Sequence, residues 1–195
     1  PDNGVLSYLL ANLSDYNAYK LTNPAYRLPD VSTTFHGRDI FAPAAAHIAA
    51  GVPAAEFGDP LEDLVRLPLP ELSLNNDEIT GEVMTIDRFG NIITSIGTLK
   101  WSGTDRLTIN PAFDVDAERI PVLAQEAQVS INGQQIMGVV PSYGEGMRGD
   151  LLMVVGSVGY LEISVNQGNA AERLDVSSGD RIVLQIGDIN AAIRD

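Results

Sequence analysis

The sequence predicts a chain in two parts: a helical first part, which we expect to be incomplete, and an all-β second part built as a small antiparallel sandwich or barrel. Leucines at helical spacing near the start predict the first part. Short strand-like runs separated by turns predict the second. Two prolines in the segment 67–70 favour an extended linker. We therefore divide the chain into residues 1–70 and residues 71–195.

Helices dominate the first part. The apolar residues that recur with helical spacing near the start are Val5, Leu6, Leu9, Leu10 and Leu13. A second helix is predicted over about residues 39–50, because Gly51 and then Pro53 mark its end, and Pro43 is tolerated only in a first turn. A short third helix is predicted over about residues 60–65.

Strands and turns alternate through the second part. Two strands flank a turn at residues 87–91, and a helix is predicted over about residues 169–174. The remaining strand-like runs cover residues 106–109, 127–131, 135–140, 151–155, 160–165 and 181–186. Turn residues, such as the Asn-Gly pair at 132–133, separate them. Strands of this length and spacing are typical of an antiparallel barrel or sandwich.

The composition narrows the kinds of partner. The formal net charge is −14 over 195 residues, and so acidic a chain would repel nucleic acid and anionic membrane surfaces. No apolar run approaches the roughly 20 residues of a membrane span. There are no cysteines, which excludes disulfides, thiolate catalysis and zinc–sulfur sites. We therefore expect a cytoplasmic protein with a small-molecule ligand and with no nucleic-acid, membrane or metal partner.

The two histidines, His36 and His47, are candidates for metal binding or acid–base chemistry. They are eleven residues apart, or about 16 Å along one helix, which is too far for a shared metal. His36 directly precedes the second helix, where the helix N-terminus keeps an imidazole neutral and able to act as a base or orient a water. A turn or capping histidine is the alternative, and spacing alone favours it. For His47 we expect a packing or surface role.

Three turns carry polar groups that could hold a small ligand. Residues 87–91 place Asp87 and Asn91 at a strand end, although chemistry alone favours an ordinary hairpin there. Residues 156–159 and 166–169 bracket another strand, and exposed backbone groups at such turns can bind a carboxylate or a base edge. Taken singly these signals are weak, because they lack a phosphate-loop lysine and a G-x-G-x-x-G pattern.

Taken in order along the chain, these segments resemble the S-adenosylmethionine (SAM) hydrolase family, the SAM hydroxide adenosyltransferases, which are related to the SAM-dependent fluorinases and chlorinases. Residues 34–43 read TFHGRDIFAP, which resembles the family's hallmark almost letter for letter. Residues 87–91 match its D-x-F-G-N turn, and residues 156–163 and 166–171 match its pair of C-terminal ligand loops. Residues 1–6 resemble its P-D/N-N-G-x-L segment.

The resemblance implies an α/β N-terminal domain, of which residues 1–70 are the C-terminal part plus a linker, and a C-terminal antiparallel β-barrel domain at residues 71–195. It also implies a homotrimer, with SAM bound between the N-terminal domain of one subunit and the barrel of its neighbour. The implied reaction is attack of water or hydroxide at the ribose C5′ of SAM, which releases adenosine and L-methionine. Because SAM is the substrate, no cofactor is expected.

His36 matches the histidine of the family's Asp–Arg–His triad, which holds and polarises the attacking water. The segment D-P-G-V-G-x-x-R, which supplies the triad aspartate and arginine, has no match in this sequence, and neither has the aspartate that grips the ribose hydroxyls. The chain opens on turn residues at 1–4 that run straight into a helix, so we expect these groups to precede Pro1. Two alternatives remain: a fragment that binds SAM or adenosine without turnover, and a SAM-dependent halogenase. Gly37 disfavours the halogenase, because halogenases carry serine at that position.

The resemblance further implies how the methionine end of the substrate is bound. Asp87 would pair with the ammonium group, and Ser157 would meet the carboxylate. Val158 stands where the halogenases carry arginine.

At the adenine end, Asn91 would hydrogen-bond the base, and the backbone of Val165 and Gln167 would contact its edge. Phe89 and Tyr143 would stack on its faces.

Overall fold

The computed structural model describes residues 1–11, 13–111 and 118–187. Within these ranges the chain forms two compact units, the first spanning Pro1–Leu67 and the second beginning at Pro68. Among the helices described, none is both long enough and apolar enough to cross a membrane.

The first unit consists of short helical segments joined by extended chain. Its helical segments are α1 (Ser7–Ala11), a 3₁₀ turn (Pro24–Tyr26), a π-helical turn (Gly37–Phe41), α2 (Ala42–Ala49) and a second 3₁₀ turn (Ala54–Phe57). The predicted second helix is confirmed: Pro43 lies in the first turn of α2, and Gly51 just beyond its end has a left-handed φ of +93°. The apolar stripe of α1 stays largely in solvent, with Leu9 61% exposed.

The short helix predicted over residues 60–65 is wrong. Pro60 forms an isolated β-bridge with Tyr19, and the Leu61 amide donates to the Ala18 carbonyl at 2.9 Å. Backbone groups engaged in this lateral pairing cannot also form the hydrogen bonds of an α-helix.

The second unit is a β-sheet with one short helix among its described residues. Its elements are β1 (Leu72–Asn75), β2 (Glu78–Ile86), β3 (Ile92–Trp101), β4 (Arg106–Asn110), β5 (Ile120–Leu123), β6 (Gln128–Ile131), β7 (Gln134–Met137), β8 (Val139–Val140), β9 (Leu151–Val155), β10 (Tyr160–Val165), α3 (Ala170–Leu174) and β11 (Arg181–Gln185). The predicted strand over residues 135–140 is divided at Gly138, whose φ of +79° interrupts the extended backbone. Strands β1 and β5 are not among the predicted strands.

The strands form a sheet that curls toward closure. Its order is β7-β6-β11-β2-β3-β10-β9-β8, with β1 on β2 and with β4 and β5 extending from β3. Strands β8 and β9 run parallel, and the other pairs of the described sheet are antiparallel. The two ends of this path, β7 and β8, are separated in the chain by Gly138 alone, so the sheet must bend round to bring its ends together.

The second unit is therefore mostly β and barrel-like, as predicted. The α/β character expected of the first part stays a prediction, because its described residues contain helices and one isolated β-bridge.

The hydrophobic core lies inside this sheet. Ile92 and Ile96 of β3 and Leu161 and Ile163 of β10 are fully buried in it. Because successive side chains of a strand point to opposite faces, Glu162 lies on the other face of β10. Strands β3 and β9 flank β10 on both sides, and Glu162 is only 8% exposed. This second face of β10 supports the cavity described next.

Candidate functional site

A cavity of about 710 Å³ in the second unit collects all seven residues predicted to bind the substrate. Its lining residues are Asp87, Phe89, Asn91, Tyr143, Val155, Gly156, Ser157, Glu162, Val165, Asn166, Gln167 and Gly168. They come from the turn between β2 and β3, from a 3₁₀ turn (Tyr143–Glu145) before β9, from the end of β9 and the loop that follows it, from β10 and from the turn before α3. The fold thus brings together residues far apart in the chain, and their individual roles stay predictions.

The turn between β2 and β3 is held by the side chain of Asp87. Its Oδ1 accepts hydrogen bonds from the amides of Phe89 (2.8 Å) and Asn91 (2.9 Å). Its Oδ2 accepts one from Asn91 Nδ2 at 2.9 Å, and the Asp87 amide donates to the Asn91 carbonyl at 3.0 Å. Aspartate commonly organises a turn in this way, and here it holds the backbone of Phe89 and the side chain of Asn91, two residues that line the cavity.

These bonds also set the acidity of Asp87. Partial burial, the largest single influence, disfavours the charged form. Hydrogen bonds from Asn91, Phe89 and Gly90 together outweigh it, and they hold the pKa of Asp87 below its usual value. The carboxylate is therefore ionised at neutral pH, and a carboxylate oxygen with one partner can still accept a hydrogen bond from a ligand.

Gly90 joins this turn to α3. Its φ is +83°, and its carbonyl accepts the amides of Ala170 (3.1 Å) and Ala171 (3.0 Å). Asn169 caps the helix by accepting the Glu172 amide at 3.0 Å. A Cβ atom on Gly90 would lie 2.0 Å from Asn169 Oδ1. Both the backbone conformation and the close approach therefore require glycine.

The loop between β9 and β10 is a tight turn closed by backbone hydrogen bonds. The Gly156 amide donates to the Tyr160 carbonyl, and the Gly159 amide donates to the Gly156 carbonyl, both at 2.9 Å. Ser157 is exposed in this loop and lines the cavity, and Val158 beside it is 71% exposed. The Ser157 position is thus accessible to a ligand.

The turn that follows β10 presents backbone groups to the cavity. Gln167 has a φ of +57°, which is uncommon for a residue with a side chain. The Gly168 amide donates to the Val165 carbonyl at 3.0 Å, and Asn166 Nδ2 anchors the turn to the Gly146 carbonyl at 2.8 Å. A carbonyl oxygen has two lone pairs, so Val165 can accept a second hydrogen bond from a ligand.

Glu162 is a cavity residue to which the sequence motifs assign no role. It lies in the middle of β10, and its Oε2 accepts a hydrogen bond from the Tyr143 hydroxyl at 3.0 Å. Partial burial of the hydroxyl, and then the hydrogen bond and charge of Glu162, raise the pKa of Tyr143, so the phenol stays protonated and donates. The signal in the sequence is an acidic residue inside an otherwise uncharged strand, YLEISV.

The charge and surface of the cavity favour a particular kind of ligand. Asp87 and Glu162 are the charged side chains among its lining residues, and both are acidic. Phe89, which is 61% exposed, adds an aromatic face. Acidic groups attract positive charge, and an aromatic face together with amide and backbone groups suits a flat heterocycle.

His36 lies in the first unit, where it lines a different cavity of about 670 Å³ together with Ile40 and Phe41. It directly precedes the π-helical turn, as predicted, and its side chain forms no capping hydrogen bond. Turns of this type are frequent at functional sites. His47 instead packs edge-on against Tyr26, with ring centroids 5.0 Å apart, which confirms its packing role.

A buried carboxylate holds the chain around His36. Asp39 is fully buried; its Oδ1 accepts Arg38 Nε at 2.5 Å, and its Oδ2 accepts the Ser32 amide at 2.8 Å. The bond from Arg38, and then that from Ser32, hold the pKa of Asp39 below its usual range. In the described ranges, no group of three or more His, Asp or Glu side chains could hold a metal ion.

Known proteins match this chain along most of its length. The family model for the SAM hydroxide adenosyltransferase N-terminal domain matches residues 1–58, and that for the C-terminal domain matches residues 81–183. The (R)-S-adenosyl-L-methionine hydrolase of Salinispora tropica is 38% identical over 192 residues, which cover 96% of this chain and 64% of the relative. The fluorinase of Actinoplanes sp. is 26% identical and covers 92% of this chain and 57% of its own length.

Among solved structures, an uncharacterized conserved protein from Thermotoga maritima is similar, with a TM-score of 0.68 and 31% identity over 95% of this chain and 65% of that one. The chain thus spans less than two thirds of the length of these relatives. The two domain matches follow the predicted order, and the C-terminal match falls on the sheet that carries the acidic cavity. The chain therefore belongs to the SAM hydroxide adenosyltransferase family and has its two-domain architecture.

Proposed function

We propose that the protein hydrolyses SAM to adenosine and L-methionine. Water, or hydroxide formed from it by loss of a proton, attacks the ribose C5′, and the C5′–S bond breaks with its electron pair going to sulfur. One proton is released for each water consumed. The observation that carries this proposal is the acidic cavity, where Asp87 and Glu162 line the ligand space and none of the described lining side chains is basic. SAM carries a sulfonium and an ammonium against one carboxylate, so its net positive charge complements the cavity.

The methionine end is bound by Asp87 and Ser157. The ionised Asp87 pairs with the ammonium, because its Oδ2 accepts a single hydrogen bond from within the turn, that of Asn91. Ser157 meets the carboxylate from the loop between β9 and β10. Val158 supplies no charge to that carboxylate, unlike the arginine of the halogenases.

The adenine end is bound by the turn and by the chain after β10. Asn91 donates its Nδ2 to Asp87, so its Oδ1 is the atom that accepts from the exocyclic amine of the base. The backbone of Val165 and Gln167 contacts the other polar edge. Phe89 stacks on the base through one face, since the Arg88 guanidinium covers the other at 4.8 Å from the ring centroid. Tyr143 provides the second stacking surface.

His36 is the residue that orients the attacking water. A neutral imidazole can accept a proton from that water. Holding the water in line with C5′ and sulfur raises the rate of attack mainly through proximity and orientation. The buried Asp39 fixes the segment in which His36 lies, so the imidazole is held in a defined place. A dry site does not oppose the loss of the sulfonium charge as methionine leaves.

The finer architecture follows the family. The first unit belongs to an α/β domain, the second is a β-barrel domain, and three copies assemble in the cytoplasm with SAM between subunits. The exposed apolar side chains Phe89, Val158 and Tyr143 around the acidic cavity support such a contact, since apolar surface beside a ligand site is typical of an interface.

The test of catalysis is His36→Ala in the full-length protein, with His47→Ala as the matched control. We expect turnover of SAM to fall by about a hundredfold or more for His36→Ala, with little change in the Kd for SAM. His47 packs against Tyr26, so His47→Ala should change stability but not turnover per folded molecule. An unchanged rate for His36→Ala would remove this residue from the mechanism.

Product analysis separates the alternatives. Adenosine and methionine support hydrolysis, binding without product supports a non-catalytic SAM or adenosine module, and 5′-halo-adenosine supports a halogenase. Gly37 disfavours the halogenase. Halogenases hold the halide with a serine at this position, and a Cβ atom on Gly37 would meet nothing within 4 Å. A serine would therefore fit here, but the chain does not carry one.

A further inference from the structure

We propose that Glu162 is a second carboxylate, beside Asp87, that binds the ammonium group of the ligand, and that Tyr143 positions it. This inference rests on the proposed function, because it assigns the Glu162 carboxylate to the positively charged ammonium of SAM in the same cavity. Glu162 lies within the segment 156–163 that matches one of the family's ligand loops, but the resemblance assigns this residue no role.

The surroundings of Glu162 leave its charge without a protein counter-ion. It is 8% exposed, and among the described residues no basic side chain pairs with it. Its one hydrogen bond within the described ranges comes from Tyr143, to Oε2. A buried carboxylate held by a single neutral donor is costly, so a cation bound beside it is stabilising.

Oε1 of Glu162 lies beneath the loop between β9 and β10. A Cβ atom built on Gly156 would fall 1.8 Å from this oxygen, so the glycine leaves the space that the carboxylate occupies. The residue after Gly156 is Ser157, the one proposed to meet the methionine carboxylate. Glu162 is therefore placed at the amino-acid end of the ligand.

Tyr143 fixes the carboxylate on its other side. Burial is the first reason that its pKa is raised, the hydrogen bond and charge of Glu162 come next, and the charge of Asp87 adds to them. The phenol is thus close enough to both acids to feel both charges, and it remains a donor at neutral pH. The three side chains enclose one region of the cavity with two carboxylates and one donor.

The ligand offers two positive groups, and their chemistry decides between them. An ammonium carries three N–H donors, whereas a sulfonium carries none. Oε1 of Glu162 receives no hydrogen bond from the described residues, so it lacks a donor as well as a counter-charge. A charge-assisted hydrogen bond from the ammonium supplies both.

Three ligands test this assignment by isothermal titration of the full-length protein. SAM carries the ammonium and the sulfonium, S-adenosylhomocysteine carries the ammonium with a neutral sulfur, and 5′-methylthioadenosine carries neither. We expect Glu162→Gln to raise the Kd of the first two by about tenfold to a hundredfold and to leave the third unchanged. Glu71→Gln, which removes the same charge from an exposed position outside the cavity, should change none of them.

Tyr143→Phe tests the positioning role. It should weaken binding of the two ammonium-bearing ligands more than binding of 5′-methylthioadenosine. If Tyr143 has only a structural or stacking role, the variant should weaken binding of all three ligands equally. Three outcomes with Glu162→Gln would overturn the inference and leave the proposed function intact: an equal loss of affinity for all three ligands, no loss of affinity for any of them, or a loss of affinity for SAM alone. If the wild-type protein binds neither SAM nor S-adenosylhomocysteine, the proposed function fails and the inference fails with it.

Discussion

Replacing Gly90 by alanine should destabilise the second unit by about 2 kcal/mol. Two effects contribute. The φ of Gly90 is +83°, and a left-handed conformation costs an L-residue about 1–2 kcal/mol, less the 0.4–1 kcal/mol or so gained because alanine restricts the unfolded chain. The new Cβ would also lie 2.0 Å from Asn169 Oδ1. Displacing this cap from α3 costs about 1 kcal/mol.

Gly133→Ala is the matched control. Its φ is +74°, but a Cβ atom there would meet nothing within 4 Å. The control therefore carries the backbone cost without the contact, and we expect it to be milder than Gly90→Ala by about the 1 kcal/mol of the cap.

Urea unfolding followed by tryptophan fluorescence measures both variants. Trp101 is the only tryptophan in the chain, and it lies on β3 against the core of the second unit, so the signal reports that unit. In an Asn169→Ala background the extra cost of Gly90→Ala should disappear. Equal losses for Gly90→Ala and Gly133→Ala would refute the reasoning, because they would show that the contact with Asn169 carries no energy.

Two further predictions concern buried polar groups of the same unit. Asp87 has a lowered pKa in the folded state, so its stabilisation is present above the unfolded pKa, about 4, and is lost as the pH falls through the folded value. Asp87→Asn should therefore lower stability at pH 7 and flatten the acid limb of a stability–pH curve, and an unchanged limb would contradict this. Ser164 is fully buried, and no hydrogen bond of normal geometry reaches its Oγ in the described chain, although the Tyr143 hydroxyl lies beside it. Ser164→Ala should therefore leave the free energy of unfolding unchanged or raise it by about 1 kcal/mol. Thr94→Val removes a buried hydroxyl that donates to the Leu161 carbonyl at 3.0 Å, so it should lower the free energy of unfolding by a similar amount. Equal effects of Ser164→Ala and Thr94→Val would contradict this prediction.

Elements with a strong local signal were predictable from the sequence. Strands β9 and β10 are dominated by apolar residues bounded by turns, and both occupy the predicted residues. Strand β5 is not predicted because it contains Pro121, and proline is tolerated in strands at edges. Among the described strands, β5 pairs only with β4. The local pattern wrongly predicts a helix over residues 60–65, because the pairing partner of this segment, near Tyr19, is remote in sequence.

The site shows the same division between local and long-range information. The turn at Asp87 and the loop at Ser157 follow from short motifs, and the fold brings them to one cavity. Glu162 could not be found this way, since a charged residue in a strand ordinarily faces solvent. Its burial depends on Tyr143 and Gly156, which reach it only in the folded sheet.

The direction in which Glu162 points depends on an irregularity in the sheet. Tyr160 lies opposite Thr98, and a regular antiparallel ladder would then place Glu162 opposite Ile96. The structure instead places Glu162 opposite Ile93. Residues directly opposite each other in such a pair project to the same face, so this change of partner decides which face Glu162 occupies.

The cause lies in β3, at Gly97. Ile96 and Leu99 are both buried in the core although they are three residues apart, so the two-residue alternation of the strand is broken between them. Gly97 has a φ of +138°, and a Cβ atom there would fall 2.5 Å from the Asn110 carbonyl oxygen, which identifies it as the residue that accommodates the bulge. Without the bulge Glu162 would lie opposite Ile96, whose side chain faces the core, and burying a carboxyl group there without a partner would be strongly unfavourable. The acid of the cavity and the bulge in the neighbouring strand are therefore two parts of one arrangement.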